Sequence, residues 1–152
     1  MRLEGASATA SLRVVRPVFA RAEAGGVDVR FPFGRRVLIT EDNWLIATEW
    51  QAELEQAGYA VTGIAVSAEE AVAMCQVDPP DFILMDVRLL GERDGVDAAL
   101  AIRSRDGPRS VFITAHDDIV TRARAEPAEP LGWITKPVVP ARLASMLARL
   151  WP

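Results

Sequence analysis

Residues 37–43 have the sequence Val-Leu-Ile-Thr-Glu-Asp-Asn, a short apolar run that ends in two acids and an asparagine. So short a run of aliphatic and β-branched residues indicates a buried strand. Asn43 is suited to begin a helix, because its side chain can accept hydrogen bonds from the first free backbone amides. The stretch therefore predicts a strand, then a turn that carries two carboxylates, and then a helix.

The same pattern of strand and helix recurs through the rest of the chain. The five predicted strands are Val37–Ile39, Ala60–Ala65, Phe82–Met85, Ser110–Thr114 and Leu131–Ile134. The first predicted helix is Trp44–Ala57, and the second begins with the capping-box spacing Ser67–Glu70 and ends before Pro79. The third has an inner face of Val96, Ala99, Leu100 and Ile102. A short fourth helix is predicted around Asp118–Ala125, and the fifth is Val139–Leu150. Because the strands are continuous apolar runs, helices should cover both faces of the sheet. The alternation predicts an α/β fold with a doubly wound, five-stranded parallel sheet and right-handed crossovers.

The composition excludes several classes of protein. Half of the 152 residues are hydrophobic and a quarter are charged, which is typical of a globular domain. The net charge of −4 argues against binding nucleic acid through general electrostatic attraction. The single cysteine, Cys75, excludes an intramolecular disulfide and a cysteine-rich metal site. No apolar run approaches the roughly 20 residues of a membrane span, so the cytoplasm is the expected compartment.

The first part of the chain differs from the rest. Residues 1–36 contain seven arginines and three acids, and their apolar residues follow no sustained helical or alternating period. We expect residues 1–34 to form a poorly ordered N-terminal extension and residues 35–152 to form one domain. A start codon placed too early and a functional anchor remain as alternatives for the extension.

Polar residues follow four of the five predicted strands. They are the pair Glu41 and Asp42, then Asp86, Thr114 and Lys136. In doubly wound sheets, ligands bind at the carboxyl ends of the strands, so these side chains should converge. Three clustered carboxylates repel one another and favour a cation, and hard oxygen ligands suit Mg²⁺. A hydroxyl and an ammonium beside them could hold a phosphoryl group, and a carboxylate could itself be the nucleophile.

Lys136 is the only lysine in a chain with sixteen arginines. An ammonium is a compact point charge on a flexible stem, whereas guanidinium is a planar fork. A single ammonium at a strand end therefore suggests contact with a small anion. Chance within an arginine-biased composition is the alternative.

From about Arg35 to Leu150 the chain resembles the receiver domain of two-component response regulators, which has a flavodoxin-like fold of strand order 2-1-3-4-5. Four stretches carry the resemblance: Val37–Asn43, Asp81–Arg88, Val111–Ala115 and Trp133–Pro137. Together these motifs are highly specific, although each would be weak alone. The fold and the roles that follow are expectations from this resemblance.

The resemblance implies that Asp86 is the phosphoacceptor. Glu41 and Asp42 would bind Mg²⁺ together with Asp86, and the main-chain carbonyl of Arg88 would be a further ligand. Thr114 and Lys136 would contact the phosphoryl oxygens.

The resemblance also implies a cis peptide bond between Lys136 and Pro137 and a switch that couples Thr114 to the aromatic residue Trp133. Tyrosine or phenylalanine is commoner than tryptophan at that position, and Trp133 as a plain hydrophobic residue at the sheet edge is the alternative. Arg88 and His116 would modulate the rate at which water reaches the acyl phosphate.

Two stretches depart from the family pattern. The segment Leu89–Gly95 is about one residue longer than usual and has Leu90 where proline is common. The run Ala125–Pro130 contains two prolines, which favour a shorter or stiffer fourth helix.

We therefore expect a stand-alone receiver that takes a phosphoryl group from a sensor histidine kinase or a histidine phosphotransfer protein. No output module is expected after the last helix, so signalling would proceed through an unidentified protein target, with a homodimer through helix 4, strand 5 and helix 5 as one form of output. We expect no enzyme activity beyond its own phosphorylation and dephosphorylation. A receiver-like binding module and a phosphate sink remain as alternatives. A related phosphoaspartate hydrolase is disfavoured, because Arg88 stands where that mechanism needs a second aspartate.

Overall fold

The computed structural model describes residues 34–150. The predicted N-terminal extension therefore lies outside the described residues, apart from Gly34. Within the described range, no helix has the length and apolar character needed to cross a membrane.

Five parallel strands form one sheet in the order β2-β1-β3-β4-β5, which confirms the predicted doubly wound, flavodoxin-like fold. The strands are β1 (Arg36–Thr40), β2 (Ala60–Ala65), β3 (Phe82–Asp86), β4 (Arg109–Thr114) and β5 (Gly132–Thr135). The helices are α1 (Trp44–Gln56), α2 (Ala68–Val77), α3 (Gly95–Arg103), α4 (Ile119–Ala125) and α5 (Pro140–Leu150). The order reverses at β1, which places β1 and β3 side by side at the centre of the sheet.

Some helix and strand boundaries in the structure differ from the predicted ones. β5 begins and ends one residue later than predicted, because its pairing with β4 runs from Gly132 to Thr135. A 3₁₀ turn over Glu126–Ala128, with a proline in its first turn, follows α4 directly. The two-proline run therefore ends a helix of only seven residues.

Side chains cap the N-termini of α1 to α4, although one expected hydrogen bond forms with a different group. Ser67 accepts a hydrogen bond from the Glu70 amide at 3.2 Å, as the capping-box spacing predicts. The Glu70 carboxylate, however, accepts from the Val66 amide at 2.9 Å and not from Ser67. The reciprocal capping box lies instead at α3, where Asp94 and Asp97 each accept from the other's amide at 3.0 Å.

Two apolar layers enclose the sheet. One lies beneath α1 and α5 and includes Ile39, Trp50, Leu54, Leu84, Ile113, Leu143 and Leu147. The other lies beneath α2, α3 and α4 and includes Leu38, Ile83, Met85, Val96, Ile102, Phe112 and Ala125. Neighbouring strand residues alternate between the layers, as expected for a sheet covered on both faces. The predicted inward residues Ala57, Leu100 and Leu150 are only half-buried at the margins of these layers.

Gly95 sets how closely α3 approaches the sheet. Its amide donates to the Val87 carbonyl at 2.9 Å. A Cβ atom at this position would lie 2.0 Å from the backbone oxygen of Asp86 and 3.0 Å from Cγ of Met85. The backbone just after β3 is therefore fixed by a contact that only glycine permits.

Replacing Gly95 with alanine should lower the free energy of unfolding by about 1–3 kcal/mol, the usual cost of overpacking a buried site. Urea denaturation followed by circular dichroism measures the change. An unchanged free energy of unfolding would contradict the close approach of α3 to the end of β3.

Candidate functional site

The carboxyl ends of β1, β3, β4 and β5 bring five polar residues to one edge of the sheet. They are Glu41, Asp42, Asp86, Thr114 and Lys136. β1 pairs with β3 so that Thr40 lies opposite Met85, and the residues that follow them, Glu41 and Asp86, therefore lie side by side. The convergence that the strand ends predict is present in the structure.

The three carboxylates form a compact cluster. Glu41 and Asp86 are 1% and 3% exposed, whereas Asp42 is exposed, and each offers an oxygen within 4.8 Å of the others. The Asn43 amide donates to Glu41 at 3.0 Å, and the Arg88 amide donates to Asp86 at 3.0 Å. Burial raises the pKa of the Glu41 carboxyl to about 7, and the neighbouring charge of Asp86 adds to this rise.

Lys136 bridges the two buried acids. Its Nζ donates to Oδ2 of Asp86 at 2.7 Å and to Oε2 of Glu41 at 3.2 Å. Burial lowers the pKa of Lys136, but the hydrogen bond and charge of Asp86 outweigh burial, so the net shift is upward. The ammonium also lies 5.9 Å from the centre of the Trp50 ring, a contact that the sequence reasoning did not anticipate. Lys136 is thus held as a cation against the carboxylates.

The carboxylate cluster fits a divalent metal ion. Glu41, Asp42 and Asp86 supply hard oxygen ligands from two neighbouring strand ends, which is the donor chemistry that Mg²⁺ prefers. Of the three, Asp42 is open to solvent, so a metal bound there could keep waters. The main-chain carbonyl of Arg88 as a further ligand remains an expectation from the family resemblance.

A small cavity of about 150 Å³ opens beside Asp86. Thr114 lines it and is only 4% exposed. The Thr114 hydroxyl donates to the His116 carbonyl at 2.9 Å and accepts from the His116 amide at 3.2 Å. The hydroxyl is therefore engaged within its own loop.

Exposed residues form the rim of this cavity. Arg88 and His116, both singled out in the sequence, lie at the rim with exposed side chains. Asp118 and Thr121 also line the cavity, and the sequence reasoning missed them as site residues. The sequence signal that could have identified them is their three-residue spacing, which is that of a helix cap. In the structure Asp118 caps α4 by accepting a hydrogen bond from the Thr121 amide at 2.7 Å.

The aromatic residue of β5 is packed and not merely exposed at the sheet edge. Trp133 stacks on the buried Phe112 ring with 4.6 Å between centroids and 21° between planes. The guanidinium of Arg122 lies over the Trp133 ring at 4.9 Å. Beyond Trp133 on the same segment, the peptide bond between Lys136 and Pro137 is cis.

A family model described as the response regulator receiver domain matches residues 37–148. The chain is 39% identical over 105 residues to the transcriptional regulatory protein PdtaR of Mycobacterium tuberculosis, a match that covers 68% of this chain and 50% of that protein. It is 30% identical over 129 residues to the phyllosphere-induced regulator PhyR of Methylorubrum extorquens, covering 84% and 47%. The chain therefore spans about half the length of the curated relatives it matches.

Solved structures show the same similarity in three dimensions. The signal receiver domain of a modulated diguanylate cyclase from Desulfovibrio desulfuricans superposes with a TM-score of 0.68 and 36% sequence identity. The match covers 77% of this chain and 90% of that one.

Mg²⁺ should raise the thermal stability of the wild-type chain, because an ion that binds only the folded state stabilises it. The expected gain is about 1 kcal/mol when Mg²⁺ is at roughly five times its Kd. Differential scanning fluorimetry with and without Mg²⁺ measures it.

Asp42→Asn should abolish most of this gain, whereas Glu49→Gln, an exposed acid on α1 outside the cluster, should retain it. Equal gains in thermal stability for the two variants would show that Mg²⁺ binds outside the carboxylate cluster.

Proposed function

The chain belongs to the family of response regulator receiver domains, and we propose that it accepts a phosphoryl group on Asp86 and signals through phosphorylation-dependent contact with another protein. The observation that best supports this function is the 2.7 Å bond between Lys136 and Asp86 inside a cluster of three carboxylates. Members of this family are generally phosphoacceptors, so no chemistry is proposed beyond the protein's own phosphorylation and dephosphorylation.

Phosphoryl transfer would begin with attack by a carboxylate oxygen of Asp86 on the phosphorus of a phosphohistidine. A new O–P bond forms as the donor's P–N bond breaks, and the released imidazole takes a proton from solvent. The donor is a sensor histidine kinase or a histidine phosphotransfer protein. A Mg²⁺ ion held by Glu41, Asp42 and Asp86 would neutralise charge on the phosphoryl oxygens when bound.

Lys136 and Thr114 would both exchange partners during the reaction. The ammonium of Lys136 leaves the carboxylate oxygens of Asp86 and donates to a phosphoryl oxygen, so its positive charge stays in the site. The Thr114 hydroxyl leaves the His116 carbonyl and donates to another phosphoryl oxygen. For Thr114 the exchange replaces a hydrogen bond to a neutral carbonyl with one to a charged acceptor, which is the stronger kind, whereas Lys136 exchanges one charged acceptor for another.

Two further residues would set the lifetime of the acyl phosphate. Arg88 and His116 lie at the rim of the cavity that holds Asp86, with side chains free to cover or expose it. We propose that these two side chains control how readily water reaches the acyl phosphate, because the acyl phosphate is lost by hydrolysis.

The conformational change would pass from Thr114 to Trp133 and then to the face formed by α4, β5 and α5. Output through that face would be binding of a protein target or pairing of two copies of the chain. We propose that the protein works in the cytoplasm, where such phosphodonors present their histidines. A module that binds partners without switching is the competing outcome of the experiments below.

Beryllofluoride with Mg²⁺ should change the tryptophan fluorescence of the wild-type chain, because it mimics a phosphoryl group on an aspartate and would draw Thr114 and Trp133 inward. Asp86→Ala should give no response, and Trp133→Phe should lose most of the signal. A wild-type chain without any response would favour the non-switching module.

Replacing Lys136 with arginine should leave the fold intact but slow phosphorylation by acetyl phosphate. The loss is about tenfold or more, as expected when a hydrogen bond to a charged group is misplaced. Arg142→Lys on α5, an exposed exchange of the same two cations, is the control and should react at the wild-type rate. A wild-type rate in Lys136→Arg would show that the ammonium has no special role.

A further inference from the structure

Arg122, on the outer side of α4, contacts two parts of the molecule at once. Its guanidinium lies 4.9 Å from the centre of the Trp133 ring, a distance at which cation and ring attract each other. The same guanidinium binds Asp117 through two nitrogens, one of them at 2.6 Å. This two-point pairing fixes the plane of the guanidinium more firmly than a single bond would.

Asp117 connects Arg122 to the loop that follows β4. The preceding residue, His116, uses both its backbone carbonyl and its amide to hold the Thr114 hydroxyl. A movement of that hydroxyl toward Asp86 breaks both bonds and releases the His116 backbone. Because Asp117 is the next residue along the chain, its carboxylate moves with that backbone.

Strands β4 and β5 connect Thr114 to Trp133 by a second route. Phe112 and Thr114 are two residues apart on β4, so their side chains lie on the same face of the sheet. Trp133 lies opposite Phe112 in the register of β4 and β5, and the two rings stack. Contacts therefore run from Thr114 through the loop to Arg122, on to Trp133, and back to β4 through Phe112.

The helix that carries Arg122 is held by few other contacts. Of the seven residues of α4, only Ala125 is buried, and Ile119 and Val120 are 85% and 77% exposed. Arg124 makes a second tie by pairing with Asp94 at the start of α3. Arg124 therefore ties α4 to α3, whereas Arg122 ties α4 to the loop after β4 and to Trp133 on β5.

We propose that Arg122 is a latch that holds Trp133 in its half-buried position, and with it α4, while the Thr114 hydroxyl is bound to His116. The latch deepens the proposed switch and rests on it. When Thr114 turns to the phosphoryl group, the loop carries Asp117 away and Arg122 leaves the ring. Trp133 is then free to turn inward.

Whether loss of Arg122 favours or opposes activation depends on which arrangement the latch stabilises. The contacts of Arg122 with Asp117 and Trp133 belong to the arrangement in which the Thr114 hydroxyl is bound to the His116 backbone. Removing them raises the population of the other arrangement, and a ligand that prefers that arrangement then binds more tightly. Loss of Arg122 should therefore favour activation.

The test compares Arg122→Gln with Arg124→Gln in the full chain. Arg124 is the matched control, because it lies two residues away on the same helix and has its own acidic partner but does not contact Trp133 in the described structure. The probe is beryllofluoride with saturating Mg²⁺, titrated by ¹⁹F NMR of 5-fluorotryptophan-labelled protein. A Trp133→Phe variant assigns the Trp133 resonance.

We expect Arg122→Gln to bind beryllofluoride about threefold more tightly than wild type, the factor that corresponds to loss of one exposed cation–π contact. Its Trp133 resonance should already be displaced toward the activated position before the probe is added. Arg124→Gln should match wild type in both respects. Asp117→Asn removes the carboxylate that pairs with Arg122 and should behave like Arg122→Gln. If Arg122→Gln does not fold, Asp117→Asn is used in its place.

Equal or weaker affinity in Arg122→Gln and Asp117→Asn, with an unmoved Trp133 resonance, would overturn the latch while leaving the proposed function intact. A wild-type chain that binds no beryllofluoride would overturn the proposed function and the latch with it. An effect of Arg124→Gln as large as that of Arg122→Gln would also overturn the latch, since it would show that any loosening of α4 suffices.

Discussion

Two buried carboxylates lie side by side at the carboxyl edge of the sheet, and one ammonium group holds them there. Glu41 and Asp86 are brought together because β1 and β3 are neighbours at the point where strand order reverses. Burying two like charges is costly unless a cation accompanies them. Lys136 reaches them from the end of β5, two strands away from β3. The rest of the site depends on this pairing across the sheet, because it holds the Asp86 carboxylate at the edge of a cavity of about 150 Å³.

This arrangement would suit the reversible phosphoryl transfer that we propose. The Lys136 ammonium is already in place, so it needs only to change its partner when a phosphoryl group is added to Asp86. A Mg²⁺ ion bound by the carboxylates would supply the remaining positive charge. The Thr114 hydroxyl is likewise held nearby by bonds within its own loop, at 2.9 and 3.2 Å. In the proposed switch, small movements of these two side chains would register the phosphoryl group, and Arg122 would control how far the movement spreads.

Local patterns in the sequence predicted most of the fold. Each strand was a short apolar run bounded by turn residues, and the residues that follow the strands had to converge once the strands were parallel. The roles of Asp86 and Lys136 within that cluster came from likeness to a family, since strand ends alone leave a solvated turn, a helix cap and a metal site as alternatives. The contacts of Lys136 with Trp50 and of Arg122 with Asp117 could not be predicted. They depend on the direction of long side chains across elements far apart in sequence, which local periodicity does not encode.

The central claim is that Asp86 is the residue that accepts a phosphoryl group, with Lys136 as the cation that holds it. Intact-protein mass spectrometry after incubation with a small phosphodonor and Mg²⁺ tests this most directly. The account predicts a mass increase of one phosphoryl group on the wild-type chain and no increase on Asp86→Asn. Hydroxylamine should release the phosphoryl group as phosphate and leave the smaller mass increase of a hydroxamate, as expected for an acyl phosphate. A wild-type chain that gains no mass, or an Asp86→Asn chain that gains as much, would contradict it.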